Sequence, residues 1–352
     1  MKTFVKYLGY RLKKSSIRTL VFTVCTLAIV LIAISENLYI KRDMYGFGIT
    51  YSHIGLEYIA IAISVFSTLI PMLETAEFKN RRNLDTLYFL PMSRVKLALA
   101  HYLSGFIQVA FIHTVTFWSA WIYWLCKINS SHYIRSLNIL PIYWLLSLAV
   151  GFIMYSIFIF IFCQGNNVLD GFIFCVAWMF IFFVVVNAII YSFKDLLRIE
   201  NVYDDVCQWY QAWTIVYMPI NNLTMIFQGL TEIRNDMFLE QVELIIYQMY
   251  MFFVWVGVAA ACVFGYFWTF IRKGAEKAGE ISDSWFGYRT LIPIYAFCVL
   301  FEIGTHASID IIIFWMLTIL AYVIYRRGFK FKLGDIIIIG IFSVLYLGNI
   351  IF

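Results

Sequence analysis

The sequence predicts an all-α fold, a polytopic helical membrane protein, and three observations predict it. The composition is 62% hydrophobic and 20% aromatic, with only 13% charged residues, where soluble domains carry about a quarter. Mean hydropathy is +0.82, more apolar surface than a soluble core needs. Long stretches with almost no charge alternate with blocks of Lys and Arg, the pattern of membrane spans joined by basic cytoplasmic loops.

A span needs about 20 apolar residues, and the sequence offers spans near 19–35, 57–73, 98–125, 140–163, 171–192, 244–271, 285–304, 308–325 and 336–352. The first follows Lys2, Lys6, Arg11, Lys13, Lys14 and Arg18, and Ala33-Ile34-Ser35 has the small-residue character of a leader cleavage site. We read it as a retained span, preceded by a basic amphipathic helix lying on the inner surface. After the second span comes a cytoplasmic loop, Glu74–Lys96, reading ETAEFKNRRNLDTLYFLPMSRVK. In its first half Leu84, Leu87 and Tyr88 fall at i, i+3 and i+4 opposite Arg81, Arg82 and Asp85, so an amphipathic helix is expected until Pro91 breaks it.

Between the fifth and sixth spans lies an external segment, 193–243, holding Trp209, Tyr210, Trp213, Tyr217, Pro219 and Phe227 among several acids. Its aromatic content predicts short helices at the outer interface or dipping back into it. The polar segment RKGAEKAGEISDSWFGYR then separates residues 1–271, with six spans, from residues 272–352, with three more. A count of nine puts Phe352 outside at the end of an apolar run, and a longer natural chain continuing into an external domain is expected.

With the N-terminus inside, nineteen of the 26 Lys and Arg are cytoplasmic: six before the first span, five in 74–96, four in 272–289 and four in 326–335. Acids lean the other way, eight inside and thirteen outside. This asymmetry predicts a multi-pass protein of the cell membrane with a cytoplasmic N-terminus. The net charge of +5 is thereby a matter of topology and argues for no nucleic-acid partner.

Groups that could carry catalysis are sparse. No G-x-x-x-x-G-K-[ST] loop is present to cradle phosphates. Leu103-Ser104-Gly105-Phe106 has the form of the start of an ATPase signature but lies in a span, where small residues serve close packing. Six of the seven cysteines lie in or at the ends of apolar runs, with only Cys207 in a polar loop; without a CxxC or a Cys/His pairing, neither a disulfide framework nor zinc is expected. His101 and His113, twelve residues apart on one span, differ by about 120° and about 18 Å along the axis, so they cannot share a site. Each reads as a neutral histidine bonded to a neighbouring helix or as part of a transport path. Glu302, His306 and Asp310 have i, i+4 spacing and would suit a divalent cation on one continuous helix, but Gly304 and the THAS stretch read as a solvated turn, so no metal site is expected. Gln108, Asn187, Asn166 and Asn167 either line a pathway or cross-link helices.

The 74–96 loop carries a family resemblance. Its run of charged residues on an amphipathic helix, then Leu90-Pro91-Met92-Ser93-Arg94 and an immediate return through Val95-Lys96-Leu97, resembles the coupling segment of ABC-2 type permeases, the membrane subunits of ABC transporters. The resemblance covers about residues 1–280, takes in Met218-Pro219-Ile220 in the external segment, and extends to RKGAEKAG at 272–279, which is similar to the polar tail of the group associated with peptide-antibiotic export or resistance. It implies a type V exporter-like six-span core plus about three extra C-terminal spans. It also implies a coupling helix at 74–96 in which Glu74, Glu77, Arg81, Arg82, Asp85 and Arg94 dock into a groove on separate cytoplasmic ABC ATPase subunits. ATP and Mg would then be bound by those partners, leaving this chain with no cofactor and no enzymatic activity of its own.

A second permease copy or a paralogue, and membrane lipids, complete the expected partners, and the substrate would be amphipathic: a peptide, an antibiotic or a lipid. Gln108, His113, Asn187, Trp209 and Trp213 are the candidates for pathway or external contact. Two other classes stand beside this reading. A stand-alone channel, secondary transporter or sensor would work without an ATPase, and a membrane-embedded lipid-modifying enzyme would need clustered ionisable groups at one interface. Residues 74–96 could likewise form an interfacial helix that merely lies on lipid.

Overall fold

The first helix of the computed structural model, α1, runs unbroken over Lys2–Asn37, about 54 Å at 1.5 Å per residue. A surface helix followed by a separate span was expected, and the structure corrects this. The polar residues that would break the helix are satisfied inside it: Ser15, Ser16, Thr19, Thr23 and Thr26 donate their hydroxyls to carbonyls three or four residues back. Arg11 is buried against a neighbouring helix rather than lying on a surface.

The described residues are 2–37, 40–42, 49–51, 54–80, 87, 89–127, 140–193, 219–223, 226, 238–274, 278–302, 307–329 and 331–351. They are mostly helical, with short turns between helices and one antiparallel strand pair, β1 (Ile40–Arg42) with β2 (Ile49–Tyr51), in register Ile40 to Tyr51 and Arg42 to Ile49. The remaining long helices are α2 (Ile54–Thr75), α3 (Arg94–Lys127), α4 (Leu140–Gln164), α5 (Val168–Phe193), α6 (Phe238–Arg272), α7 (Tyr288–Glu302), α8 (Ala307–Arg326) and α9 (Leu333–Ile351). Among the described residues five stretches are long and apolar enough to cross a membrane: Thr3–Ala33, Ile61–Lys79, Arg94–Tyr123, Pro141–Gln164 and Ile245–Arg272. The other four expected spans are helical as α5, α7, α8 and α9.

The chain forms two compact units, Met1–Glu77 with Asn83–Phe160 and Pro219–Lys273, and Phe78–Arg82 with Ile161–Met218 and Gly274–Phe352. These do not coincide with a division at 271/272, because α5 packs against α7. In the first unit α3 is the central helix, touching α1, α2 and α6. Its start follows from Pro91 and from Ser93, whose carbonyl accepts the Leu97 N–H at 3.0 Å and whose hydroxyl accepts that of Lys96 at 3.4 Å, an N-cap. Small residues let its neighbours approach: a Cβ on Gly105 would collide with the Tyr155 hydroxyl, and Tyr155 donates to the Tyr102 carbonyl at 3.0 Å. Such close packing and interhelical bonds, at about 0.6 kcal/mol each, hold helices together where lipid removes the hydrophobic drive. The outward face of α1 is apolar and exposed at Ile17, Leu20, Val24 and Ile29, as a lipid-facing stripe must be.

In the second unit α7 is the hub, packing on α5, α8 and α9. Trp178 of α5 donates its indole N–H to the Phe286 carbonyl at 2.8 Å, and Tyr295 of α7 donates to the Ala177 carbonyl at 2.5 Å. The polar start of α5 is built by Asn167, whose side-chain oxygen accepts the Val168 N–H at 2.7 Å, while Asn166 donates from its side chain to the Ile281 carbonyl at 3.0 Å. These two asparagines make a cap and a tether.

Candidate functional site

The densest polar site lies where the 74–96 segment leaves α2. Glu74, in the last turn of α2, is 1% exposed. One carboxylate oxygen accepts from Arg11 at 2.6 Å; the other accepts from Arg18 and, at 2.8 Å, from the Gln108 amide. Glu77 accepts from Arg11 and, at 2.8 Å, from Lys14. Arg11 therefore bridges both acids. Gln108 completes the ring by accepting from Arg18 at 2.9 Å.

Helical spacing brings this set together. Arg11, Lys14 and Arg18 stand at i, i+3 and i+7 on α1, one face over two turns, and Glu74 and Glu77 stand at i and i+3. Removing a single member of a buried ion network strands its partner in a medium that cannot solvate it, a loss of about 3–5 kcal/mol. The cluster thus locks the start of the segment to α1.

His101 extends the cluster. Its Nδ1 faces the Glu74 carbonyl at 3.1 Å and its Nε2 faces the Tyr7 hydroxyl at 3.0 Å. A carbonyl only accepts, so Nδ1 carries the proton and Nε2 accepts from Tyr7. His113 takes the opposite tautomer: Ser147 already donates to the Trp144 carbonyl at 2.9 Å, so His113 Nε2–H donates to Ser147 at 2.8 Å. The two histidines serve different neighbours.

The segment then turns. Residues Ala76–Lys79 form a 3₁₀ turn, and in the second unit the Lys79 ammonium donates to the carbonyls of Phe162 at 2.5 Å, Gly165 at 2.7 Å and Asn167 at 3.4 Å while lying 4.0 Å from the Phe162 ring centroid. The ammonium thus sits at the C-terminal end of α4 and the turn into α5, sharing the Phe162 and Asn167 carbonyls with the Gly165 and Gly171 N–H groups. No protein-family model matches the chain, and no curated protein does. The site is therefore read from its geometry.

Of the residues named from sequence, Glu74, Glu77, Gln108 and His113 are where the structure makes bonds. Glu74 is not an exposed rim charge but the buried centre of the cluster. Arg94 opens α3, is exposed, and donates to the Ile271 carbonyl at 3.3 Å. Asn187 lies on α5. Arg81, Arg82, Asp85, Trp209 and Trp213 lie outside the described residues, as does most of the amphipathic helix expected before Pro91, Leu84 and Tyr88 included. The Glu302, His306 and Asp310 set does not share one helix, since α7 ends at Glu302 and α8 starts at Ala307; His306 lies outside the described residues.

Sequence reasoning missed the pairing roles of Arg11, Lys14 and Arg18, which it spent on topology, and the buried ammonium of Lys79. It also missed Phe89. That side chain is 87% exposed on the turn before Pro91, where Met92 N–H bonds the Leu90 carbonyl at 2.7 Å.

Proposed function

We propose that this chain is the membrane-spanning permease subunit of an ATP-driven ABC transporter of the ABC-2 kind, exporting an amphipathic substrate and driven by separate cytoplasmic ATPase subunits. The observation that supports the reading best is the Phe89–Arg94 turn, which leads into α3 between two helices long enough to cross a membrane and leaves the Phe89 side chain 87% exposed. An apolar side chain thrust from a charged segment is what a groove on a partner captures. In this reading Phe89 is the anchor, and Arg81, Arg82 and Arg94 supply charges around it.

The cluster at Glu74 gives the segment something to push. Movement imposed on it by a closing ATPase passes through Glu74 and Glu77 into Arg11 and Arg18, because breaking those bonds costs more than moving α1 with them. Helices α1, α2 and α3 then shift together and open a path beside them. The chain performs no hydrolysis in this scheme.

Purification of the tagged chain from its native membranes tests the reading. A Walker-motif ATPase is expected to co-purify, and Phe89→Asp, or Arg81→Glu with Arg82→Glu, should reduce its recovery by about tenfold or more while the permease still inserts. Full ATPase recovery with all three substitutions present, or transport that proceeds without any ATPase, overturns it.

A further inference from the structure

The second unit contains a cavity of about 550 Å³ walled by α5, α7 and α8, including Phe172, Val176, Leu291, Tyr295, Leu317 and Ile324. Its size falls within the range of about 300–1,000 Å³ found for small-molecule sites. Its wall is almost wholly apolar: beside Thr318, its polar residues are Tyr288, whose hydroxyl donates to Asp170 at 3.0 Å, and Tyr295, whose hydroxyl donates to the Ala177 carbonyl at 2.5 Å. Only hydrocarbon fits such a lining without stranding polar atoms. Phe172, Leu317 and Ile324 are exposed as well as lining, so the cavity is open to what surrounds the helices. On α8 and α9, exposed Ile312, Met316, Ile337 and Ile341 make those surroundings apolar.

One end of the cavity is marked. The wall uses the start of α7, Tyr288 to Ala296, and the later part of α8, Leu317 to Ile324. At that same end stand exposed Trp285 and Phe329, the aromatic signature of a headgroup layer. The cations there are mostly committed. Arg326 pairs with Asp335 at 3.0 Å, and Arg327 lies 3.8 Å from Asp170 and donates to the Gly279 carbonyl at 3.2 Å. Arg289 differs. It is exposed, lies 4.5 Å from the Trp285 ring centroid, and stands three residues before Ile292 and seven before Ala296 on the helix row that lines the cavity.

We propose that this cavity is a phospholipid site, holding one acyl chain between α5, α7 and α8 with the lipid phosphate drawn to Arg289. The assignment does not rest on the transporter reading. It gives the C-terminal helices a role: they complete, with α5, a lipid-binding cleft.

The test uses the purified full chain in nanodiscs containing a phospholipid with a photoactivatable diazirine in its acyl chain. Cross-links are expected in peptides carrying Leu291, Tyr295 and Leu317. Ala321→Phe, which fills the cavity from α8, should reduce them by about tenfold or more, and Ala296→Leu, filling from α7, should act the same way with unfolding temperature checked for both. Arg289→Gln should weaken labelling by the phospholipid but not by a diazirine fatty alcohol, which has no phosphate. Labelling unchanged in both filled variants overturns the site, and an equal response of the two probes to Arg289→Gln removes the phosphate assignment. A wild-type chain that excludes the probe, while Leu317→Cys forms a disulfide dimer beyond the wild-type background, puts a second copy in the cleft and overturns the lipid as occupant.

Discussion

Arg11 and Glu74 stand 63 positions apart and meet at 2.6 Å with side chains only 5% and 1% exposed. A buried pair of this kind is stable only with further hydrogen bonds around it. Glu74 takes Arg18 and Gln108 as well, and Arg11 takes Glu77.

Glu74→Met should therefore destabilise the chain by about 3–5 kcal/mol, because Arg18 loses its counter-charge and buried Arg11 is left with Glu77 alone. Glu77→Met, at a side chain 25% exposed and facing a 53% exposed Lys14, should cost about 1 kcal/mol or less. Thermal unfolding in detergent compares them. Equal losses for the two would show that burial does not set the cost.

The histidine tautomers are a direct readout of the two environments. Nitrogen NMR on histidine-labelled protein should show His101 neutral with the proton on Nδ1 and His113 neutral with the proton on Nε2. Tyr7→Phe should leave the His101 proton on Nδ1, which the Glu74 carbonyl holds, while shifting the Nε2 resonance that loses its donor, and leave His113 unchanged. Identical spectra for both rings would contradict the bonding described.

Lys79 should resist conservative exchange. Its tetrahedral ammonium reaches three carbonyls at the end of α4, and a planar guanidinium cannot reproduce that set. Lys79→Arg and Lys79→Met are both expected to destabilise the chain, by about 1–3 kcal/mol for the bonds lost, the one to the Gly165 carbonyl above all. Gly171→Ala should do likewise, since a Cβ there would lie 2.7 Å from the Lys79 nitrogen. A fully stable Lys79→Arg variant would show that charge alone suffices.

Orientation is tested by labelling. With the N-terminus cytoplasmic, an impermeant thiol reagent applied from outside should modify a cysteine introduced at Asp204 and spare one at Asn83, because this placement keeps the basic blocks inside. The reverse pattern would invert the chain.

The sequence by itself determined the helical class and the positions of the apolar stretches, five of which are long and apolar enough to cross a membrane among the described residues, because each depends on local composition and on groups within a few residues. The continuous course of α1 was not legible, since the basic residues that suggested a surface helix find their partners in Glu74 and Glu77, some 60 positions later. The same holds for Gln108 and Lys79, whose bonds run to Arg18 and to the end of α4. Only the tertiary structure decided which charges are buried, which histidine nitrogen carries its proton, and that α5 joins α7. Those outcomes follow from which helix faces come into contact, and in an almost uniformly apolar chain hydropathy does not distinguish one face from another.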